Sequence, residues 1–432
     1  MLIYEIKPKD TIYKISRRFG IDMDKIISDN ALSQPDNLTV GQTLVLMVDN
    51  IPHTVNRSET LYSIAQSYGV TLEQLLDANP YIRRPNIINV GQIINIPVEA
   101  RKRGTIDVNG YAFPNIDMNL LKITLPYLTY LSIFSYQVKP DGSLDSIDDE
   151  SLIETAMQAR VAPLMVISNI GEEGRFSSEL ANAILTDESV QDTLLNNVME
   201  ILEAKNYYGL NMDFEYIYPA DGDAYDRFLM KVSKRLKDEG YTLTTALAPK
   251  ISEYQRGLLY QAHRYPAHGR YADNVILMTY EWGYTYGPSM AVSPINQVKR
   301  VLDYATQEIP SKKILMGMPT YGYNWRLPFM KGSAANSLSN PEAVELAIRM
   351  GAFIEYDEKS QAPYFNYYDA DTGLKHEVWF DDARSVKERL ELVDIYDLGG
   401  VSYWTLNRAF PQNWLILSSM YNIRKKIRPS QA

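Results

Sequence analysis

The hydrophobic pattern occurs twice near the N-terminus of the chain. The segment that begins at Tyr4 aligns with the one that begins at His53, at an offset of 49 residues that becomes 50 after a one-residue insertion. Each copy has an apolar run, a threonine followed by Ile or Leu at helical spacing, a glycine stop, a second helical run ending near an asparagine, and a closing run after Val-Gly-Gln. The pattern predicts two βααβ units, at 1–48 and 49–98. The coinciding pairs include Thr11/Thr60, Tyr13/Tyr62, Ile15/Ile64, Gly20/Gly69, Asn30/Asn79 and Gly41/Gly91.

Beyond residue 104 the pattern changes to eight apolar, strand-like runs, several of them joined by amphipathic helical stretches. Eight buried runs joined in this way predict an α/β fold, a (β/α)8 or TIM barrel, at 99–432. A doubly wound open sheet is the alternative. The runs are Thr105 to Tyr111, Leu128 to Tyr136, Ala162 to Ile170, Gly209 to Glu215, Leu243 to Ala248, Val275 to Tyr280, Ile314 to Tyr321 and Gly400 to Leu406.

The interval between the seventh and eighth runs is too long for a single helix. It contains strand and turn signals, followed by a helix that Asp381 or Asp382 is predicted to cap. We therefore predict a small inserted α+β subdomain at the mouth of the barrel, roughly at 326–390. The charged residues 99–104 are predicted to form a short linker between the repeats and the barrel.

The composition is that of a globular chain with an acidic charge balance. Of the 432 residues, 45% are hydrophobic and 22% are charged, which is enough to bury a large core. The formal net charge is −10, and the sequence has no basic block. Because nucleic acids and anionic membranes attract basic surfaces, we expect neither as a partner. The oligomeric state is left open.

Cysteine is absent and histidine occurs four times. The lack of cysteine excludes disulfides, thiolate zinc sites and a cysteine nucleophile. His263 and His268 are five residues apart and lack the glutamate of a zinc-protease motif, so we expect no metal and no cofactor. The first residues are charged by position five and contain no long apolar run, which predicts neither a secretory signal nor a transmembrane helix.

The fourth apolar run carries acidic residues where a core strand would carry none. Asn211, Asp213 and Glu215 stand at alternate positions, so a strand directs all three to one face, with neighbours roughly 6.5 to 7 Å apart. In a barrel that face is the interior, where uncompensated carboxylates are costly and where active sites lie at the C-terminal strand ends. Two catalytic acids are therefore predicted. The alternative is a carboxylate pair satisfied by barrel-lining donors or by a bound cation.

A carboxylic acid kept protonated by burial and by a like-charged neighbour can protonate a glycosidic oxygen. An ordinary retaining glycosidase also needs a carboxylate nucleophile about 5 to 5.5 Å away across the sugar. Asp213 and Glu215 approach the substrate from the same direction, so Asp213 is badly placed to attack the opposite face. The pattern therefore calls for another nucleophile.

The N-terminal repeat resembles the LysM module. The resemblance covers residues 2–97 and rests on the Asp/Glu-Thr-Ile/Leu-Tyr-x-Ile segment, the asparagine and the Val-Gly-Gln turn. It implies binding to glycans that contain N-acetylglucosamine, in chitin or peptidoglycan. An unrelated small repeat that serves as a spacer is the alternative.

The barrel segment resembles the family-18 glycoside hydrolases over residues 105–420. LNMDFEY resembles the family's DxxDxDxE signature, and MTYE, GMPTYGYNW and GGVSYWTL follow in the family's order. The resemblance implies that the substrate's 2-acetamido oxygen is the nucleophile, with Glu215 as general acid and base and Asp213 orienting the acetamide. Tyr280 is implied to donate to the acetamido carbonyl, and Trp404 to form the floor under the cleaved sugar.

The signature differs from the family pattern at two positions. Its first aspartate is Tyr208 here and its second is Asn211. Asn211 cannot share a proton with Asp213, although its amide can donate a hydrogen bond to that carboxylate. We therefore expect Asp213 to remain a simple anion and Glu215 to owe its raised pKa to Asp213 and burial alone.

Further polar and aromatic residues lie at or just beyond the predicted strand ends. Glu281 stands where the family usually has aspartate and is predicted to contact the substrate. The aromatic residues are candidates for stacking on sugars, and packing is the equal alternative for each of them. The predicted substrate contacts are Asn211, Met278, Glu281, Trp282, Tyr321 and Trp404, with Tyr284, Tyr286, Tyr323 and Trp325 as further stacking candidates.

Two glycan-binding modules tethered to an acetamido-dependent hydrolase indicate an enzyme for an insoluble glycan. The layout without a signal peptide resembles a group of spore-cortex hydrolases of endospore-forming bacteria, which implies a spore-associated location at the boundary of coat and cortex. Cortex contains muramic lactam, whose C2 nitrogen is not free to act as a nucleophile, so the cleaved sugar is expected to be N-acetylglucosamine. A chitinase or chitooligosaccharide hydrolase and a non-catalytic glycan-binding coat or wall protein are the alternatives.

Overall fold

The computed structural model describes residues 1–98 and 102–427 of the chain. The first three residues of the predicted linker, 99–101, lie outside the described part. Of its remaining residues, Arg103 joins the barrel domain, because its backbone N–H donates to the carbonyl of Met420 at 2.8 Å and its guanidinium pairs with Glu391 at 3.0 Å. Within the described ranges, no helix has the length and apolar character needed to cross a membrane.

The N-terminal residues form two small βααβ units, as the repeat predicts. In each unit the first and last strands pair antiparallel, and the two helices pack on that pair. The elements are β1 (Leu2–Glu5), α1 (Ile12–Phe19), α2 (Met23–Asp29) and β2 (Thr43–Leu46), then β3 (Asn50–Thr54), α3 (Leu61–Ser67), α4 (Leu72–Asp77) and β4 (Ile93–Pro97).

The repeated residues explain why both units fold alike. Thr11 and Thr60 are the N-caps of α1 and α3, and each side chain accepts a backbone N–H of the first turn. Asn30 is buried and ties the end of α2 to β2, since its amide donates to the carbonyl of Val45 at 3.0 Å and accepts the N–H of the same residue at 2.6 Å. Asn79 does the same for α4 and β4.

The rest of the described chain alternates strands and helices. The elements in chain order are β5 (Thr105–Ala112), α5 (Met118–Thr124), β6 (Tyr130–Gln137), α6 (Glu150–Gln158), β7 (Ala162–Ser168), α7 (Ser178–Thr186), α8 (Glu188–Ala204), β8 (Gly209–Asp213), α9 (Gly222–Asp238), β9 (Thr242–Leu247), α10 (Tyr265–Tyr271), β10 (Asn274–Leu277), α11 (Ile295–Glu308), β11 (Ile314–Pro319), β12 (Tyr321–Leu327), β13 (Asn336–Ser339), α12 (Asn340–Met350), β14 (Glu355–Asp357), β15 (Ala362–Tyr368), β16 (Lys375–Trp379), α13 (Ala383–Ile395), β17 (Gly400–Trp404), α14 (Pro411–Met420) and β18 (Asn422–Ile423).

Eight parallel strands, β5 to β11 and β17, form a closed barrel. Each strand pairs with the next in the chain, and β17 pairs with both β11 and β5, which closes the ring. The predicted (β/α)8 barrel is therefore confirmed, and the open sheet is excluded. Aromatic and aliphatic side chains fill part of the barrel interior, whereas a much larger cluster lies between the strands and the outer helices.

Six of the eight predicted runs end one to three residues earlier than expected, and two of these bear on the site. The fourth strand ends at Asp213, so Glu215 lies two residues beyond it. The seventh strand ends at Pro319, and Tyr321 instead begins β12 of the insertion. In both cases the chain leaves the barrel at the strand end, where parallel neighbours no longer supply hydrogen bonds.

The inserted subdomain between the seventh and eighth barrel strands is a five-stranded antiparallel sheet with α12 packed on it. The strand order is β13-β12-β16-β15-β14. Its strands extend over 321–379, compared with the 326–390 drawn from the sequence. Asp382 is the N-cap of the following helix, α13, and accepts the backbone N–H groups of Arg384 and Ser385. Asp381 instead forms a buried ion pair with Arg389.

The first βααβ unit packs against the barrel domain. The Thr39 hydroxyl donates to the carbonyl of Ala352 at 2.6 Å, and the Ile354 N–H donates to the carbonyl of Val40 at 2.9 Å. Gly41 has a φ of +85°, and a Cβ at this position would lie 1.8 Å from the carbonyl oxygen of Ile354. This interface therefore requires glycine.

The second unit does not repeat that contact. Gly91 occupies the equivalent position with the same φ of +85°, but no atom lies within 4 Å of a Cβ built there. No hydrogen bond links the described residues of the second unit to the barrel domain. One unit is thus docked on the barrel, and its repeat keeps the corresponding face exposed.

Candidate active site

The predicted acids lie at the C-terminal end of β8. Asp213 is the last residue of the strand and is only 4% exposed, on the inner face of the barrel with Asn211. The alternate residues Met212 and Phe214 are fully buried on the outer face, where Phe214 stacks on Tyr225 of α9. The strand period therefore separates packing residues from site residues, as the sequence predicts.

Glu215 is held by the side chain of Asn169. The Glu215 backbone N–H donates to the Asn169 Oδ1 at 2.9 Å, and the Asn169 Nδ2 donates to the Glu215 carbonyl at 2.8 Å. Asn169 is fully buried directly after β7, the neighbouring barrel strand. Sequence reasoning missed this residue, although a polar side chain directly after a barrel strand was a usable signal.

His263 fixes the peptide between the two acids. The Ala248 N–H donates to Nδ1 of His263 at 2.9 Å, so the ring proton lies on Nε2, which donates to the carbonyl of Phe214 at 2.8 Å. Burial lowers the pKa of His263 to about 4, so the ring is neutral near pH 7. From the sequence, His263 is considered only as a possible metal ligand. Its spacing from other residues does not predict that it holds the Phe214 peptide.

Asn211 does not pair with Asp213. Its Oδ1 accepts a hydrogen bond from the Tyr111 hydroxyl at 3.1 Å, and its buried Nδ2 has no hydrogen-bond partner within the described residues. The same is true of Oδ1 of Asp213. The expectation that the Asn211 amide stabilises the Asp213 carboxylate is therefore wrong, because Tyr111 on the first barrel strand sets the orientation of the amide.

The electrostatics of the acids also differ from expectation. Burial raises the pKa of Asp213 to about 7, so its charge depends on pH near neutrality, whereas the sequence predicts a simple anion. Burial, followed by the charges of Asp213 and Glu281, raises the pKa of Glu215 well above its ordinary value. The raised pKa favours the protonated form of Glu215, and Glu281 contributes to this in addition to Asp213.

The segment that follows β10 brings three further predicted residues to the site. Met278 is half-buried directly after the strand. The pKa of the Tyr280 hydroxyl is raised well above its ordinary value, first by burial and then by the charges of Tyr111, Asp213 and Glu215. Trp282 is half-buried and packs against the barrel core.

Glu281 lies at the solvent-exposed mouth of the site. Its backbone has a φ of +66°, and its Oε1 accepts hydrogen bonds from the hydroxyls of Tyr321 and of Tyr323, the latter at 3.0 Å. Loss of hydration among the surrounding walls raises the pKa of Glu281, and the two tyrosine hydrogen bonds oppose this effect. Strand β12 of the insertion thus supplies the partners of a carboxylate on the barrel.

Trp404 ends the eighth barrel strand and forms part of the site floor. Its ring makes edge contacts with three aromatic residues, at ring-centre distances of 5.3 Å to Tyr111, 5.7 Å to Phe113 and 4.9 Å to Phe134. It also borders a cavity of about 310 Å³. The cavity is lined by Phe113, Glu281, Tyr321, Tyr323, Ser337, Trp404, Thr405 and Arg408.

The peripheral aromatic residues fall into three groups: exposed, cavity-lining and buried. Tyr284 and Tyr286 are exposed, whereas Tyr321 and Tyr323 line the cavity. Trp325 is 2% exposed and its indole N–H donates to the carbonyl of Gly287 at 2.9 Å. Packing is therefore the correct interpretation for Trp325, because a buried ring has no face available to a sugar.

Family models match both parts of the chain. The model for glycosyl hydrolases family 18 matches residues 107–409, and the LysM domain model matches residues 4–46 and 53–97. The chain belongs to glycosyl hydrolase family 18. It is a glycoside hydrolase that carries two LysM modules.

This family-18 enzyme has relatives that share its whole length. The cortical fragment-lytic enzyme of Bacillus subtilis is 40% identical over 433 residues, which cover 99% of each chain. The crystal structure of the spore cortex-lytic enzyme SleL of Bacillus megaterium has a TM-score of 0.89 at 40% identity, over 98% of this chain and 99% of that chain. A chitinase from Chromobacterium violaceum shares the fold, with a TM-score of 0.67 at 24% identity over 73% of this chain and 98% of its own.

Proposed function

We propose that this enzyme cleaves N-acetylglucosaminyl bonds in the peptidoglycan of spore cortex fragments during germination, and that it retains configuration by using the substrate's own acetamido oxygen. One observation carries the mechanism. The end of β8 presents Glu215, whose pKa is raised by burial and by the charges of Asp213 and Glu281, beside a buried Asp213 on the same face of the chain. An acid is thus available, whereas neither group is placed to attack the sugar from its opposite face.

In the first step Glu215 gives its proton to the glycosidic oxygen. The bond between C1 and that oxygen breaks, and the acetamido carbonyl oxygen of the same sugar bonds to C1, which produces an oxazolinium ion and the released alcohol. In the second step the Glu215 carboxylate takes a proton from water. The water oxygen bonds to C1, the ring opens, and the hemiacetal forms with the original configuration.

The neighbours of Glu215 stabilise the charge that develops. Asp213, as an anion, orients the acetamide N–H and offsets the positive charge of the oxazolinium ion, while the Tyr280 hydroxyl donates to the acetamido oxygen. Asn169 and His263 hold the backbone on either side so that the acid stays aimed at the cleft. Fixed groups of this kind lower the barrier because they do not need to reorganise during the reaction.

The remaining predicted residues are assigned to substrate binding. Trp404 offers a floor under the cleaved sugar, and Tyr321 and Glu281 border the cavity above it. Met278 and Trp282, on the segment after β10, are assigned as further substrate contacts, although neither lines this cavity. Asn211 is fully buried and accepts a hydrogen bond from Tyr111, so we assign it to the packing beneath the site.

The substrate class rests on the two modules and on the relatives. LysM modules and relatives named for cortex degradation both favour peptidoglycan, and they favour a spore-associated location at the boundary of coat and cortex. Muramic lactam has no acetamido oxygen to act as a nucleophile. The mechanism therefore cannot cleave at muramic lactam, and we assign the cleaved bond to the one whose C1 belongs to N-acetylglucosamine.

Mass spectrometry of the products from purified cortex fragments and from chitin oligomers tests this proposal. We expect new reducing ends on N-acetylglucosamine, and faster release from cortex fragments than from chitin oligomers. Faster turnover of chitin oligomers would instead identify a chitooligosaccharide hydrolase. Equal cleavage of a substrate stripped of its acetyl groups would contradict the acetamido mechanism.

A further inference from the structure

We infer that Arg408 recognises a carboxylate on the sugar next to the cleaved N-acetylglucosamine, and so selects peptidoglycan over uncharged chitin-type chains. The inference rests on the proposed function and deepens it by assigning a specificity residue. A muramic acid residue carries such a carboxylate either on its lactyl group or on the peptide stem attached to that group.

The position of Arg408 places a cation beside the cleft. The residue follows the eighth barrel strand, four positions after Trp404, and lines the same cavity as Trp404, Glu281 and Tyr321. Its guanidinium carbon lies 5.8 Å from the centre of the Tyr321 ring. Among the residues that line this cavity, Arg408 alone has a positively charged side chain.

Among the described residues, no acidic side chain forms a salt bridge with Arg408, although its charge contributes to lowering the pKa of Glu342. Its Nη2 donates to the Ser337 hydroxyl on β13 at 2.7 Å, whereas its Nη1 is buried with no hydrogen-bond partner among the described residues. Glu342 is the nearby acid on the insertion. Its carboxylate accepts the Ser339 N–H as part of the capping box at the start of α12. A buried N–H of a charged group without an acceptor is costly, and a ligand carboxylate supplies the acceptor.

The rest of the cleft is acidic, which makes this cation selective. The ionised forms of Asp213 and Glu281 repel a carboxylate, so the position beside Arg408 is the favourable one for an anionic group. The planar fork of the guanidinium fits a carboxylate with two parallel hydrogen bonds, which a lysine cannot provide. Neutral N-acetylglucosamine oligomers gain nothing from this contact.

The test compares Arg408→Gln with the full-length wild-type enzyme on four substrates. These are cortex fragments with intact stems, fragments whose stems an amidase has removed to leave free lactyl carboxylates, fragments whose carboxylates have been amidated, and chitin oligomers. Arg300→Gln on the outer helix α11 is the matched control, because its exposed side chain bonds only to Gln297.

We expect Arg408→Gln to lower kcat/KM on carboxylate-bearing fragments about tenfold more than on chitin oligomers, mainly through KM. The substrate with a free lactyl carboxylate and the one with intact stems separate the two sources of the carboxylate. Equal losses on charged and neutral substrates would overturn the inference and indicate a structural role. Failure of the wild type to cut cortex fragments at all would instead refute the proposed function.

A measurement on the wild type keeps the inference testable if Arg408→Gln does not fold. The unmodified enzyme is expected to lose about tenfold in kcat/KM when the carboxylates of cortex fragments are amidated. Arg408→Lys keeps the charge but not the fork, and should recover only part of the preference for charged fragments. Equal turnover of native and amidated fragments by the wild type would contradict the inference.

Discussion

The side-chain amide of Asn169 satisfies both backbone polar groups of Glu215, at 2.9 Å and 2.8 Å. The two residues are 46 positions apart in the chain and meet because β7 and β8 are neighbours in the barrel. Glu215 lies beyond the end of its strand and has no ladder partner there, so this one side chain replaces the missing strand. The backbone position of Glu215, the proposed acid, therefore depends on the side chain of the fully buried Asn169.

Asn169→Ala should lower kcat about ten- to a hundredfold with a smaller change in KM, because the acid loses its fixed orientation. The variant also leaves the N–H and carbonyl of Glu215 unpaired, at a cost of about 1 to 3 kcal/mol for each buried group. Kinetics on cortex fragments and thermal unfolding measure the two effects. Asn197→Ala is the control, since its side chain bonds Gly142 on the outer surface of the barrel. Unchanged kcat in Asn169→Ala would remove the positioning role.

Glu215→Gln should reduce hydrolysis by more than a thousandfold while leaving glycan binding intact. Glutamine keeps the size and polarity of the side chain but cannot release a proton to the glycosidic oxygen. Product release and binding to insoluble cortex are measured on the same preparation. Retention of more than a few per cent of the activity would exclude Glu215 as the acid.

Asp213→Asn should make the protein more stable above pH 7 and should have little effect at pH 4. The pKa of Asp213 is raised from 3.8 to about 7, so the folded state binds the proton more tightly than the unfolded state does. The protonated Asp213 carboxyl group therefore adds to the free energy of unfolding below pH 4, and this contribution is lost as the pH rises through about 7. Thermal melts at pH 4, 6 and 8 should show Asp213→Asn gaining about 2 to 4 °C over the wild type at pH 8.

The matched control for that series is Asp371→Asn on an exposed turn of the insertion. It should leave the difference between pH 4 and pH 8 as it is in the wild type. A stability curve for Asp213→Asn that ran parallel to the wild type at every pH would show that the carboxyl group does not titrate in this range.

Gly41→Ala and Gly91→Ala form a matched pair for the docking of the first module. Both positions have a φ of +85°, so alanine costs about 1 to 2 kcal/mol of backbone strain at each. Only at Gly41 does the new methyl group meet the Ile354 carbonyl. We expect Gly41→Ala to melt at a lower temperature than Gly91→Ala and to release the first module, which limited proteolysis detects. Equal behaviour of the two variants would show that the interface does not depend on this approach.

Local patterns in the sequence are sufficient to predict the two modules and the barrel. The repeat at an offset of 49 residues predicts two modules of the same fold, because each copy has its own helix caps and its own buried asparagine. The eight apolar runs predict the barrel. The alternation of apolar and polar residues along the fourth run predicts which side chains face the barrel interior. These features depend on neighbours within a few residues, so they can be read without the fold.

The details of the site depend on residues that no local pattern connects. Tyr111 reaches Asn211 across 100 positions, and Tyr321 reaches Glu281 across 40, so neither the orientation of the amide nor the surroundings of the carboxylate follows from the motif. The sequence therefore misjudged the charge state of Asp213, because burial in the closed barrel sets the pKa of that group.

The sequence by itself determined the two modules, the barrel, and the presence of a buried acid pair at the end of its fourth strand. Only the tertiary structure decided which groups hold Glu215, where Arg408 points, and why one of two similarly folded modules is docked while the other is not. The physical reason is that strand period and helix capping are short-range, whereas burial, hydrogen-bond partners and electrostatic fields come from whichever distant segments the closed barrel brings together.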